Sequence, residues 1–291
     1  MENQLIELYL FACHVYDTRA ATCFQRLSNN AQPGFTDQEL VAIYLFGHWQ
    51  GLFEKKAIHR LIDQYWRHYF PNLPAYQTFV ARLNLLEQSF QTIGGYLNEL
   101  LAQSQQPEID HIIDSVPVML ARGGHAYTAR VAREVANVGY CASKKMYFHG
   151  VRLHTIAQRR GGAMPLPMQV WLREGSCHDL QSVRDQAIRL PGSALIGDRA
   201  FPDPTLRQML EEQCTTLLAV RKKPKGEELS AAEKYYNRMV SRLRQPIESL
   251  FKWLIDKTDI QRAGRVRSTD GLMVHCWGKL TFAAYLLVFN P

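Results

Sequence analysis

Near residue 104 the hydrophobic rhythm of the chain changes. Up to about Gln103, apolar residues recur at three and four in LIELYLFACHVY, FTDQELVAIYLFGHWQ, KKAIHRLIDQYWRHYF and YQTFVARLNLLEQSFQTIGGYLNELL, the period of helices packed through one face. Thr36 followed by Glu39 makes a capping box, and Pro71 and Pro74 mark a turn. After the polar stretch SQQPEID, the segment IDHIIDSVPVML alternates and is rich in Ile and Val, as a strand is. This order predicts an all-helical amino-terminal domain over 1–103 and a sheet-containing domain over 104–291 with basic helices at its end, joined through SQQPEID. Small helical bundles of the first kind include helix-turn-helix DNA readers.

Further along, KKMYFHGVRLHTIAQ and PMQVWLREG are strand candidates separated by Arg159, Arg160, Gly161 and Gly162, which suits a hairpin. SALIGDRAF holds a short buried strand ending at Gly197, DPTLRQMLEEQ reads as a helix, TTLLAVRKK as another strand, and long helices follow. The expected fold is α/β, with a mixed sheet that is antiparallel at first and parallel later, flanked by helices.

With 46% apolar residues in 291, the chain can bury a full core. Its cysteines, at 13, 23, 141, 177, 214 and 276, form no Cys-x-x-Cys pair, so neither a disulfide framework nor a zinc module is indicated, and a reducing cytoplasm is expected. The start, MENQLIELYLF, has no basic region of the kind a signal peptide carries. The apolar run Leu280 to Phe289 falls short of the roughly 20 residues a membrane span needs, so no membrane role is expected.

Charge is unevenly spread. Between Arg221 and Arg267 there are 13 Lys or Arg against 6 Asp or Glu, a surplus of 7 that equals the net charge of the whole chain. Positive charge concentrated in this way is the footprint of a surface that neutralises phosphates.

Three carboxylates stand out by position. Asp114 lies inside the apolar strand IIDSVPV, Asp198 follows the apolar strand ALIG, and Glu248 lies just inside a basic helix start in QPIESLFKWLIDK. A carboxylate within an apolar strand costs several kcal/mol unless it is paired, hydrogen-bonded or bound to a metal. Two carboxylates brought together repel, and a divalent cation is the simplest remedy. Magnesium prefers such oxygen ligands, and a pair of ions about 3.5 to 4 Å apart assists in-line phosphoryl displacement. Asp110 rivals Asp114 by the period of two, and Glu227 and Glu228 rival Glu248. Asp179 reads as a cap for the helix DLQSVRDQAIRL. His149, His154 and His178 lack zinc spacing and read as structural or surface residues, and Trp49, Trp66, Trp171 and Trp253 as core. Ser115 has no Gly-x-Ser-x-Gly elbow around it, which argues against a hydrolase nucleophile.

The ordered set IIDSVPV, YFHGVRLH, WLREGSCHD, LIGDRAF and RQPIESLFKWL resembles the DDE transposases of bacterial insertion sequences. The segments KTDIQRAGRVRSTDGLMVHCWGKLTFAAYLL and LPAYQTFVARLN point more narrowly to the insertion-sequence 982 family. The resemblance implies a ribonuclease-H-like catalytic domain in which Asp114, Asp198 and Glu248 are the catalytic acids. By the same resemblance they hold two Mg2+ ions per site, with Mn2+ as a substitute. It further implies cleavage of the element's ends and transfer of the 3′-hydroxyl strand into target DNA. The partners it implies are double-stranded DNA, namely terminal inverted repeats and target, and a second copy of the chain. Arg244, four residues before Glu248, matches the family's Tyr-Arg-Glu-Lys pattern, whereas Ser241 and Ile255 stand at its Tyr and Lys positions, and Lys252 lies one helical turn after Glu248. The residues expected to contact DNA are Arg199, Lys222, Lys223, Arg238, Arg242, Arg244, Lys252, Arg262, Arg265 and Arg267. Two other readings of the same residues are a magnesium-dependent nuclease without strand transfer and a non-catalytic DNA-binding repressor.

Overall fold

The computed structural model describes residues 1–19, 33–103, 109–186, 188–223, 226 and 228–290. Most of the SQQPEID linker, Glu227 and Cys23 lie outside them. The chain divides into two compact units, one made of 1–105 and 254–291, the other of 106–253.

The first unit begins with helices α1 (Glu2–Thr18), α2 (Asp37–Trp49), α3 (Lys55–Leu61), α4 (Tyr76–Leu83) and α5 (Glu87–Gln103). Helix α2 starts at the expected capping box, in which Thr36 and Glu39 satisfy each other's backbone amides. Nearly all of α2 is buried, from Leu40 to His48. The acid at its start, Asp37, is buried too, and Arg82 of α4 pairs with it at 2.9 Å.

The second unit is built on a six-stranded sheet: β1 (Asp110–Arg122), β2 (Asn137–Cys141), β3 (Met146–Gln158), β4 (Leu166–Glu174), β5 (Ala194–Gly197) and β6 (Thr216–Ala219). A single turn of helix, α6 (His125–Thr128), lies between β1 and β2, with α7 (Asp179–Asp185) after β4 and α8 (Pro204–Glu211) after β5. β3 pairs antiparallel with β1 along one edge and with β2, then β4, along the other. β5 and β6 add in parallel beyond β1. This mixed order, antiparallel first and parallel later, is the one the element pattern predicts, and it fits the ribonuclease-H-like domain that the transposase resemblance implies. β2 is an addition to the predicted set.

Glycine makes the exchange of partners along β3 possible. A Cβ on Gly150 would sit 2.0 Å from the Val118 carbonyl oxygen, and one on Gly139 1.9 Å from that of Gly175. Side chains are therefore excluded where β2 hands over to β4. One face of the sheet packs Ile113, Ile156, Trp171 and Leu195 against Val183 of α7 and Leu206 and Leu210 of α8. On the other, Ile196 and Val220 pack against Val240 of α9 (Ala231–Arg244).

α10 (Pro246–Thr258) follows α9, and the boundary between the two units falls within it. α11 (Thr269–Phe289) belongs to the helical unit. Gly278 lets it approach α2 closely, since a Cβ there would meet the Tyr44 ring at 2.6 Å. Thr281 donates its hydroxyl to the Phe90 carbonyl of α5 at 2.7 Å. By length and apolar composition α11 could cross a membrane, but 61% of its most apolar window is buried inside the protein.

Candidate active site

The two aspartates meet because of strand register. In the parallel pair of β1 and β5, Ile112 lies opposite Ile196. Asp114 and Asp198 each stand two residues beyond that last pair, and Asp198 is close enough for its charge to act on the Asp114 carboxyl. Asp198 follows the last residue of β5, and its Oδ1 accepts the Ala200 amide at 2.7 Å, closing the turn. Gly197 is needed just before it, because a Cβ there would lie 2.6 Å from the Phe201 ring. LIGDRAF is thus a strand end bent tightly over its own phenylalanine, leaving Asp198 half-buried at the rim.

Helices α9 and α10 bring the third acid. Arg244, the last residue of α9, donates through Nη1 to Asp114 Oδ2 at 2.6 Å and through Nη2 to Glu248 Oε1 at 3.3 Å. One guanidinium therefore joins a sheet acid to a helix acid. Glu248 sits in the first turn of α10, where the helix dipole also favours a carboxylate. Asp110 is engaged elsewhere, with Arg159 at 3.3 Å.

Burial pushes the Asp114 carboxyl up to about 6. Arg244 and the Ser115 amide pull it down, while Asp198 and Asp179 push it up further. A half-buried acid whose neighbour is another acid is poorly satisfied by one arginine, and its environment favours additional positive charge.

Behind Asp114 lies a polar network that the sequence did not reveal. Ser115 points to the opposite face of the sheet, and its amide donates to Asp114 Oδ1 at 2.8 Å. Its hydroxyl donates to Asp179 Oδ1 at 2.6 Å. Asp179 therefore does not cap α7: the N-cap is His178, with no side-chain cap bond, and the carboxylate turns to the sheet instead. His154 Nδ1 is 3.5 Å from Asp179, and the imidazole stacks on Trp171 with centroids 5.5 Å apart. Burial, with Arg152 and Arg173 nearby, pushes His154 down to about 3, so it is neutral at physiological pH. The direct pairing of Ser115 with His154 across β1 and β3 explains the network, but a strand partner is invisible in one sequence.

The basic residues fall into two groups. Arg199 is exposed beside Asp198, Lys222 and Lys223 follow β6, and Arg238, Arg242, Arg244 and Lys252 lie on α9 and α10, all within the sheet unit. Glu248 and Lys252 are both exposed, one turn apart. Arg262, Arg265 and Arg267 belong to the helical unit, where Arg262 lies 3.5 Å from Asp259, Arg265 pairs with Glu54, and Arg267 donates to the Gly264 and Val266 carbonyls. The basic run of the sequence is thus divided between the units.

Among the described residues, no group of three His, Cys, Asp or Glu side chains converges as a metal cage. The donors present are carboxylate oxygens, the ligand type that suits magnesium, and the cation now beside Asp114 is Arg244. Residues 107–287 match the family model described as "Transposase DDE domain". No curated protein and no solved structure matches the chain.

Proposed function

This chain belongs to the DDE transposase family, and from that premise we propose that it cleaves DNA at the ends of an insertion sequence and joins the freed strand to target DNA. The supporting observation is the closeness of Asp114 on β1 to Asp198 just past the end of the adjacent parallel strand β5, with Glu248 tied to Asp114 through Arg244.

In this reading Asp114, Asp198 and Glu248 are the catalytic acids and the ligands for two Mg2+ ions, or Mn2+ in their place. When bound, the ions supply the positive charge that activates the attacking oxygen and stabilises the leaving one. Water attacks the phosphodiester at the element end, breaking the bond to the 3′ oxygen and leaving a 3′-hydroxyl and a 5′-phosphate. That hydroxyl then attacks a target phosphodiester, whose own 3′ oxygen departs. Arg244 holds Asp114 and Glu248 at one place before DNA arrives. Arg199, Lys222, Lys223, Arg238, Arg242 and Lys252 neutralise phosphates along the DNA, and Arg262, Arg265 and Arg267 do so from the helical unit. The helical unit contributes to recognising the terminal repeats. Two copies of the chain act together, one for each element end, in the bacterial cytoplasm, and the element belongs to the insertion-sequence 982 family.

The test is cleavage and joining of a labelled DNA fragment spanning the boundary of the element that encodes the chain, with Mg2+, comparing wild type with Glu248→Gln. Loss of both steps with DNA binding retained is expected. Wild-type cleavage without joining would leave a magnesium-dependent nuclease. Equal activity of the variant would reduce Glu248 to a helix-end partner of Arg244.

A further inference from the structure

β1 continues eight residues beyond Asp114, to Arg122. At that far end the chain leaves the sheet through α6 before β2 returns. Three large rings are exposed there: Tyr127, Tyr140 and Tyr147, at 59%, 46% and 48%. Tyr140 and Tyr147 are direct cross-strand partners with ring centroids 5.0 Å apart, and Tyr127 joins them at 5.5 Å from Tyr147. These rings are not filling a core. The local core is Met119, Cys141 and Phe148, and alternation puts Cys141 and Phe148 on the opposite side of the sheet.

The surroundings are cationic. Residues 122–147 carry five Lys or Arg, at 122, 130, 133, 144 and 145, against the single acid Glu134, a surplus of four. All five cations are exposed. Exposed aromatic residues among clustered cations suit a polyanion that also offers sugar and base surface, since tyrosine, arginine and lysine all contact the nucleic-acid backbone.

Register relates this patch to the acids. Asp114 is paired with Thr155 of β3, and Tyr147 precedes Thr155 by eight residues on the same strand. An even spacing puts the rings on the face of the sheet that carries Asp114, about 26 Å away at about 3.3 Å per residue. That distance is about eight base pairs of duplex DNA.

We propose that Tyr127, Tyr140 and Tyr147, with the cations around them, form a second contact for duplex DNA, about eight base pairs from the phosphodiester being cut. The proposal rests on the transposase reading for the path of the DNA. It assigns the segment between β1 and β3 the task of holding the duplex in line with the acids.

The experiment measures binding of the full chain to two labelled duplexes centred on the element end, one with about fifteen base pairs on each side of the cleavage point and one with about five. Wild type is compared with the combined variant Tyr127→Ala, Tyr140→Thr, Tyr147→Thr, and with Arg130→Gln, Lys145→Asn. The tyrosine variant, having lost its hydroxyl contacts to phosphate and sugar, is expected to lose about tenfold in affinity for the long duplex while binding the short one as wild type does. The charge variant is expected to lower the salt slope for the long duplex by about one per cation removed. Unchanged binding of the long duplex by the tyrosine variant overturns the surface alone. Equal loss on both duplexes, with a lowered melting temperature, also overturns it by making the rings structural. Wild type that binds neither duplex overturns the transposase reading and this surface together.

Discussion

Arg244 lies 2.6 Å from Asp114, a residue 130 positions earlier in the chain, and the same guanidinium reaches Glu248 one helical turn on. The end of α9 is thereby fixed against the middle of β1. The contact orders the site through a side chain that carries charge and fork geometry together.

Arg244→Gln keeps a hydrogen-bonding amide but removes the charge. Strand cleavage should fall about a hundredfold, the scale of losing one well-placed electrostatic donor. Arg244→Lys should recover only part of that, because an ammonium cannot bridge two acids in a fixed plane. Cleavage rates on a labelled end measure this, and a glutamine variant as fast as wild type would reduce the contact to packing.

Asp114 makes an opposite prediction for stability. Its folded carboxyl titrates near 6, above the ordinary value of 3.8, so between those values the folded chain holds more proton than the unfolded one. Stability from this group is therefore greatest at low pH, declines as pH rises through that window, and carries its full penalty above about 6. Asp114→Asn should abolish cleavage yet stabilise the metal-free protein at pH 7.5 by on the order of 2 kcal/mol. Urea unfolding at pH 7.5 and pH 5 tests it: the gain should shrink at the lower pH, and a variant less stable than wild type at both would refute the penalty.

A second buried charge sits in the helical unit. Lys279 of α11 is 1% exposed, and its ammonium donates to the Asp259 carbonyl at 3.1 Å. Burial pushes it down to about 8, helped by Lys55, while Asp259 and Cys276 oppose the shift. Between about 8 and 10.5 the unfolded chain holds the extra proton, so stability rises with pH across that window and the penalty is complete below 8. Lys279→Met should flatten that rise and increase stability at pH 7. Thermal melting at pH 7 and pH 10 checks both, and an unchanged pH slope would count against it.

The pairing of Asp114 was legible because an aspartate inside an Ile- and Val-rich strand demands a physical reason, whatever the family, and Arg244 supplies a partner. The strands β1, β3, β4, β5 and β6 were legible from alternation and punctuation. β2 was not: NVGYC is short and interrupted by Gly139, whose place is dictated by the Gly175 carbonyl of another segment. Asp179 looked like a cap because its true partner, Ser115, is 64 residues away. The basic patch near the tyrosines was hidden by arithmetic, since its surplus of four is cancelled by acids elsewhere outside Arg221 to Arg267. α11 is mostly apolar and carries no polar stripe, with His275 and Lys279 buried among its apolar residues, so its pattern announces burial without saying against what.

The placement of α11 has a consequence for how the protein is made. Its partners α2 and α5 leave the ribosome early, but the residues that complete their unit begin only at 254. At about 5 to 20 residues per second, α5 waits roughly ten to thirty seconds for them. The sheet unit, contiguous over 106–253, is fully synthesised only near the end of that wait, about two to seven seconds before Phe289 is added. In that remainder it can condense on its own while apolar surface on the helices still lacks its cover. Synthesis thus imposes an order in which the chemistry-bearing half matures before the helical half closes. A nascent chain shed after residue 253 but before α11 is complete carries all three acids without a finished helical unit.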